Sequence, residues 1–151
     1  MIKIDYPPYQ PKIKNETGPP GAAGREMIFD EVRKKWVVLT PEEWVRQNFL
    51  QYLVQVKKYP ASLIAVEKEI KLGDLKKRFD IVVYDAASKP WMIVECKEMN
   101  VELNKQVLDQ VLRYNITMQV PYLVITNGSY CMAFQCINHD LNELSSMPEK
   151  I

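Results

Sequence analysis

Apolar positions along the chain fall into short β-branched runs with the two-residue period of strands, interrupted twice by longer stretches that repeat at three and four. Residues 27–29 and 36–39 are strand-like runs split by the charged segment 30–35, which predicts a hairpin. Thr40 then stands before Pro41, Glu42 and Glu43. This is a helix start: an N-cap hydroxyl, a proline where its missing N–H costs nothing, acids in the first turn, and Glu43 placed to complete a capping box. The helix is expected to run to about Lys58 and to bury Trp44, Val45, Phe49, Tyr52, Leu53 and Val56. On its wheel Glu42 borders the apolar stripe while Glu43 points away, so Glu42 suits a site and Glu43 a cap.

Residues 63–71 read as a strand with one wetter face, and Gly73-Asp74 turns the chain into a second strand, 78–84. Segment 85–90 is the turn of a hairpin whose return strand is 91–97. A helix from about Leu103 to Met118 follows, with Leu103, Val107, Gln110, Tyr114 and Met118 on one side. Gln110 is therefore expected inside the apolar stripe, where the Tyr114 hydroxyl one turn on can satisfy it. Residues 120–126 make a buried strand reached by a crossover through that helix, Asn127-Gly128 turns it into 130–137, and the tail from Asn138 is polar. The order of elements predicts an α/β fold: a mixed, twisted β-sheet of about five strands flanked by a helix on each face. Pro7, Pro8, Pro11, Pro19 and Pro20, with Gly18, Gly21 and Gly24, argue against regular structure before Glu26. Residues 1–25 are thus expected to form an extended arm that packs on the domain, or on a second subunit in a homodimer, and 26–151 to form the domain.

Chemistry concentrates where 78–84 and 91–97 end. Trp91, Ile93, Glu95 and Lys97 share one face of the return strand and Met92, Val94 and Cys96 the other, so both faces are apolar and the charges at the end are costly unless paired. If the hairpin sets Asp80 beside Glu95, two carboxylates roughly 4 Å apart repel by about 4 kcal/mol at an effective dielectric near 20. A divalent cation or a neighbouring ammonium relieves this, and Lys97 lies on the face of Glu95. Two hard oxygen ligands suit Mg2+ or Mn2+, which keep several waters and accept phosphate oxygens. The plain alternative, a solvated Glu/Lys pair on an exposed strand, is weakened by the flanking apolar runs and by Asp80 upstream. Lys68, Lys71, Lys76, Lys77 and Arg78 form a basic run just before Asp80, suited equally to phosphate contacts or to a solvated loop.

Asp80 followed by Glu95-Cys96-Lys97 resembles the signature of the PD-(D/E)xK nuclease superfamily, with Phe79-Asp80 in place of the strict Pro-Asp. Residues 77–84, 90–97 and 109–115 are similar to the nuclease-like domain at the N-terminus of type I restriction enzyme R subunits, and the resemblance covers roughly 28–134. It implies a restriction-endonuclease-like fold and Mg2+-dependent hydrolysis of DNA phosphodiester bonds. Asp80 and Glu95 would hold the metal with the Cys96 carbonyl as an extra ligand, Lys97 would orient water or stabilise developing charge, and Glu42 would assist through the metal. Gln110-x-x-x-Tyr114 resembles the RecB-like branch, in which such a pair positions the site or the nucleic acid, here with Lys77 and Arg78. The motor that follows in those subunits is not part of this sequence, so a free-standing domain is expected, with a helicase or restriction-system subunit acting in trans. A non-catalytic module that binds nucleic acid or protein and keeps the fold is the competing reading.

Composition adds bounds. A chain of 151 residues, 47% hydrophobic and 26% charged, fits one domain with a real core. The net charge of +1, from 20 basic and 19 acidic residues, requires any nucleic-acid surface to be a local patch. No apolar run approaches the roughly 18 residues of a membrane span and the start lacks a signal pattern, which points to the cytoplasm. Cys96, Cys131 and Cys136 have no metal spacing and read as structural thiols in a reducing compartment. His139 is the only histidine and sits in the polar tail, so histidine-based catalysis is excluded by count.

Overall fold

The computed structural model describes every residue except Gly73 and Ile151, and every side chain except those of these two and of residues 72, 75 and 114–118. The expected Gly73 turn, and the Tyr114 and Met118 side chains, therefore lie outside the described residues. In chain order the strands and helices are β1 (Ile2–Lys3), β2 (Ile13–Glu16), β3 (Arg25–Asp30), β4 (Lys35–Val38), α1 (Pro41–Gln51), β5 (Ile64–Leu72), β6 (Leu75–Tyr84), β7 (Pro90–Cys96), α2 (Lys105–Met118), β8 (Tyr122–Thr126), β9 (Tyr130–Ile137) and β10 (Asp140–Leu144). Two sheets result. A mixed seven-stranded sheet runs β1-β9-β8-β7-β6-β5 with β10 also on β9, and a three-stranded sheet runs β2-β3-β4.

The main sheet is antiparallel except at β7–β8, where Val94 pairs with Val124 in parallel and α2 makes the crossover. A parallel step needs such a connection, because a hairpin turn cannot return the chain to the same direction. Each face buries its own core. On one side Val45, Phe49, Leu50 and Leu53 of the first helical segment pack on Ile81, Val83, Met92, Val94 and Cys96. On the other, Leu103 and Val111 pack on Val82, Ile93, Leu123 and Ile125. The runs in β6 and β7 are continuous because both faces are covered.

The main sheet has seven strands against the five or so expected, the extra ones being β1 and β10, and the small sheet gains β2 beside the expected hairpin; each addition has a local cause. Ile2 and Lys3 pair with Cys131 and Tyr130, and Ile13 to Glu16 pair with β3, so the arm is strand wherever its prolines leave room. The buried Ile4 and a Tyr6 hydroxyl donated to the Gly128 carbonyl at 2.5 Å hold the arm to the domain. At the other end Asn138 (φ 51) and His139 (φ 68) adopt two consecutive left-handed conformations. These are the dihedrals of a two-residue hairpin, and they fold β10 back onto β9.

The first helix also departs from expectation. After Gln51 it widens into a π-helical turn over Tyr52–Val56, where the Lys57 N–H reaches the Tyr52 carbonyl at 3.1 Å. The added residue per turn rotates Val56 to 44% exposure, and Trp44 in the first turn is 36% exposed, although the wheel places both inside. No helix among the described residues is long and apolar enough to cross a membrane.

Phe49 is fully buried (0% exposed) at the centre of the α1-side core. Phe49→Ala is expected to lower unfolding stability by about 3–5 kcal/mol, read from urea midpoints at unchanged slope.

Candidate active site

The β6–β7 ladder runs from Tyr84–Pro90 to Ile81–Val94. One residue further on each strand stand Asp80 and Glu95. Asp80 does not follow the alternation of its strand. Ile81 and Val83 face α1 while Phe79 and Val82 face α2, so strict alternation from Val82 would send Asp80 to the α2 side. Instead it reaches α1, where Arg46 Nη1 donates to its Oδ1 at 3.1 Å. The break lies in the β5–β6 ladder, whose paired steps are interrupted between Val66–Ile81 and Lys68–Phe79. Glu67, the residue skipped on β5, has φ 53, a left-handed conformation that costs an L-residue roughly 1–2 kcal/mol. Such strain persists only where surrounding contacts over-determine it.

The second oxygen, Asp80 Oδ2, accepts the Cys96 N–H at 2.8 Å and so caps the end of β7. Glu95 has less support. Its Oε1 is buried with no hydrogen-bond partner among the described residues. Burial pushes its carboxyl up to about 8, with a further contribution from the neighbouring Asp80 carboxylate, while Lys77 and Lys97 pull it back. The influence of Asp80 on the Glu95 carboxyl means the two acids lie close together at the strand ends. Glu95 opens on a small cleft of about 80 Å3 shared with Lys77, Phe79, Lys97, Gln110 and Val111. Asp80 opens on a larger one of about 420 Å3, lined by Glu42, Glu43, Arg46, Glu67, Arg33 and the end of β4. Each acid of the pair thus lines a different cleft.

Lys97 extends β7 by donating its backbone N–H to the Thr126 carbonyl at 2.7 Å. Its charge acts on both Glu95 and Glu42, and it lines the Glu95 cleft. Glu42 is exposed in the larger cleft, and its carboxyl is raised by burial and then by Asp80. Gln110 is exposed, against the expectation of burial, yet it faces the Glu95 cleft. The helix starts at Lys105 and turns Val107, Leu108, Val111 and Leu112 to the sheet, leaving Gln110 at the margin. The Cys96 thiol is buried, while its backbone N–H serves Asp80.

Alternation breaks up the basic run expected before Asp80. Lys77 reaches the Glu95 cleft and lies 5.8 Å from the Phe79 ring centre. Lys76 pairs with Glu69 at 3.5 Å, and Arg78 is exposed opposite Glu69 and lines neither cleft. Tyr114 falls outside the described side chains.

Glu43 overturns its expected role. Thr40 Oγ1 accepts the Glu43 N–H at 3.0 Å, so the cap forms, but the Glu43 carboxylate turns inward and is buried. It binds Arg46 Nη2, accepts from Arg33 Nη2 at 3.2 Å and from Gln47 Nε2 at 2.9 Å. Asp30 is fully buried and takes Arg33 Nε at 2.6 Å and Gln47 Nε2 at 3.0 Å. Glu67 reaches both arginines, at 3.3 and 3.4 Å. The network joins the carboxylates of Asp30, Glu43, Glu67 and Asp80 with only two guanidiniums, those of Arg33 and Arg46. Sequence reasoning points to none of these partners of Asp80. The available signal is Glu43, Arg46 and Gln47 at i, i+3 and i+4, a polar set on one flank of an amphipathic helix.

The donor set fits a divalent cation. It offers an unpartnered buried carboxylate oxygen on Glu95, a second carboxylate on Asp80, and surroundings in excess negative charge. Among the described residues no three Asp, Glu, His or Cys side chains gather closely enough to hold a metal alone. An ion here would keep open positions for water or phosphate.

A family model described as Type I restriction enzyme R protein N terminus (HSDR_N) matches residues 41–148. No curated protein matches the chain.

Two measurements check this geometry. Because the Glu95 carboxyl lies above its ordinary value of 4.5, the folded state holds that proton more tightly than the unfolded chain. Its contribution is therefore full below about 4.5 and is lost as pH rises through about 8. Urea melts in EDTA should show this decline, and Glu95→Gln should flatten it. Arg46→Met removes the guanidinium that Asp80 and Glu43 share and is expected to cost about 3–5 kcal/mol, with Arg46→Lys recovering part of the loss in the same melts.

Proposed function

Because the chain belongs to the family of type I restriction enzyme R protein N termini, we propose that it is a Mg2+-dependent nuclease of PD-(D/E)xK type that hydrolyses DNA phosphodiester bonds at Asp80, Glu95 and Lys97. The observation that carries this reading is the bare, buried Oε1 of Glu95 beside the Asp80 carboxylate, at the end of a strand whose next-but-one residue is Lys97. A carboxyl raised by burial and a neighbouring acid is stabilised in its charged form by a cation.

Asp80 and Glu95 would hold the ion, with the Cys96 carbonyl as a further oxygen donor. When bound, Mg2+ lowers the pKa of a coordinated water and offsets charge at phosphorus. The remaining work falls to side chains of this chain. Arg46 and the Cys96 N–H fix the Asp80 carboxylate at both oxygens, so its orientation is set before substrate arrives. Lys97 places an ammonium beside Glu95, where it can orient the attacking water or receive a phosphate oxygen. Lys77 adds a second cation on that side, and the Gln110 amide offers donors and an acceptor at the cleft rim. Glu42 contributes a further carboxyl from the α1 side. DNA and a restriction-system or helicase subunit in trans are the partners this reading implies, and the cytoplasm is the compartment.

One observation favours a second reading, a binding module that keeps the fold without catalysis. Both oxygens of Asp80 already have protein partners, and Arg46 stands where part of a metal's charge would act.

Purified protein should nick or degrade supercoiled, linear or single-stranded DNA in Mg2+ or Mn2+. Asp80→Ala and Lys97→Ala should each lose roughly a hundredfold or more of that activity. Full activity in both variants would overturn the nuclease reading. Calorimetric titration separates the two readings: metal binding abolished by Glu95→Ala supports the enzyme, and DNA binding indifferent to metal supports the module.

A further inference from the structure

The three-stranded sheet β2-β3-β4 lies outside the matched residues 41–148, so its role has to be read from this chain alone. Its register sorts the side chains into two faces. Ile28 and Asp30 point inward, both 0% exposed. The opposite face carries one row in which Lys12 adjoins Phe29 and Trp36, and a second in which Lys14 adjoins Met27 and Val38.

Lys12 and Lys14 are exposed, and among the described residues neither has a carboxylate partner. The one acid on their strand and face, Glu16, is already paired with Arg25 at 3.0 Å. The Lys14 ammonium lies 4.3 Å from the Trp36 ring centre and that of Lys12 lies 5.4 Å from Phe29, while the two rings meet edge to face at 5.3 Å. Ring contact favours these placements of the two exposed ammoniums. Less side-chain freedom then remains to be lost when an anion binds. Two residues along a strand set the lysine backbones roughly 7 Å apart, the scale of neighbouring phosphates on one nucleic-acid strand. The sheet also leads to the site, because Val37 and Val38 at the end of β4 line the cleft that holds Asp80 and Glu42.

We infer that the outer face of β2-β3-β4 is a DNA-backbone platform, on which Lys12 and Lys14 contact phosphates of the strand that continues into the Asp80 cleft. The inference rests on the nuclease reading for its substrate, and charge complementarity carries the choice of occupant. Two ammoniums set over aromatic rings, with no carboxylate partner among the described residues, fit a polyanion in a chain whose overall charge of +1 provides no general attraction.

The test is fluorescence anisotropy of a labelled duplex, and of its labelled strand alone, with the full chain in EDTA across a salt series. Lys12→Gln/Lys14→Gln should bind about tenfold more weakly at low salt. Its log–log salt slope should be shallower by about 2, close to 0.9 for each phosphate that is no longer neutralised. Lys12→Glu/Lys14→Glu should bind more weakly still, and Lys89→Gln, in the turn at the far end of the β6–β7 hairpin, should match the wild type. Urea melts of each variant report whether the chain stays folded, and the glutamine pair keeps the test open if charge reversal disrupts it. Equal affinity and slope in the glutamine pair and the wild type would overturn the platform, as would a wild type that binds neither form of DNA. A wild type that binds through both lysines yet cleaves nothing would sink the nuclease reading and leave the platform standing. Cleavage with affinity untouched by the lysines would do the reverse.

Discussion

Two carboxyl groups brought together at the end of one antiparallel ladder repel unless positive charge or a shared proton intervenes, and the rest of the site follows from how this fold answers that constraint. The answer is unequal. Asp80 receives a guanidinium from α1 and a backbone N–H from β7, so both its oxygens are engaged. Glu95 faces a small cleft with two ammoniums nearby and keeps one oxygen bare. The pair is thus complete on one side and unfinished on the other, which is the arrangement in which a hydrated cation has most to contribute.

The buried ionic network extends this constraint far beyond the strand ends. Arg33 comes from the β3–β4 turn, Arg46 from α1 and Glu67 from β5, and each shares a carboxylate with at least one of the others. Desolvated charges of this kind contribute little net stability but are costly to separate. Their effect is alignment. The small sheet, the first helix and the central strands cannot shift against one another without leaving a buried acid or guanidinium alone. The Asp80 carboxylate therefore inherits its position from segments more than thirty residues away, as the separation of 34 between Arg46 and Asp80 shows.

Much of the architecture is legible because its signals are local. The Thr40 cap, the apolar runs of β6 and β7, and the Asn127-Gly128 turn each carry their message within a few residues, and the strand pair that unites Asp80 with Glu95 follows from them. The failures have a common cause, since they depend on what lies across a face. Glu43 reads as a cap because its acid suits a helix start, and only the arginines delivered by other elements turn it inward. Gln110 falls inside a stripe by angle alone, whereas the docking of α2 leaves it at the margin. Asp80 points toward α1 through a backbone irregularity at Glu67, for which a glutamate gives no warning. β10 hides in a polar tail because Asn138-His139 is a weaker turn signal than Asn-Gly.

The same irregularity matters for the molecule's outer border. Along β9, short strands from opposite ends of the chain, β1 and β10, cover successive stretches, Tyr130–Cys131 and then Ala133–Ile137, so little of that margin is left to recruit a foreign strand. The other margin is β5, a long strand that would invite stacking of one molecule on the next if it were flat and greasy. The left-handed residue at its middle interrupts the regular backbone, and Lys68, Glu69 and Lys71 charge that rim. The distortion that aims an acid into the cleft thereby also guards the protein against polymerising through its open edge.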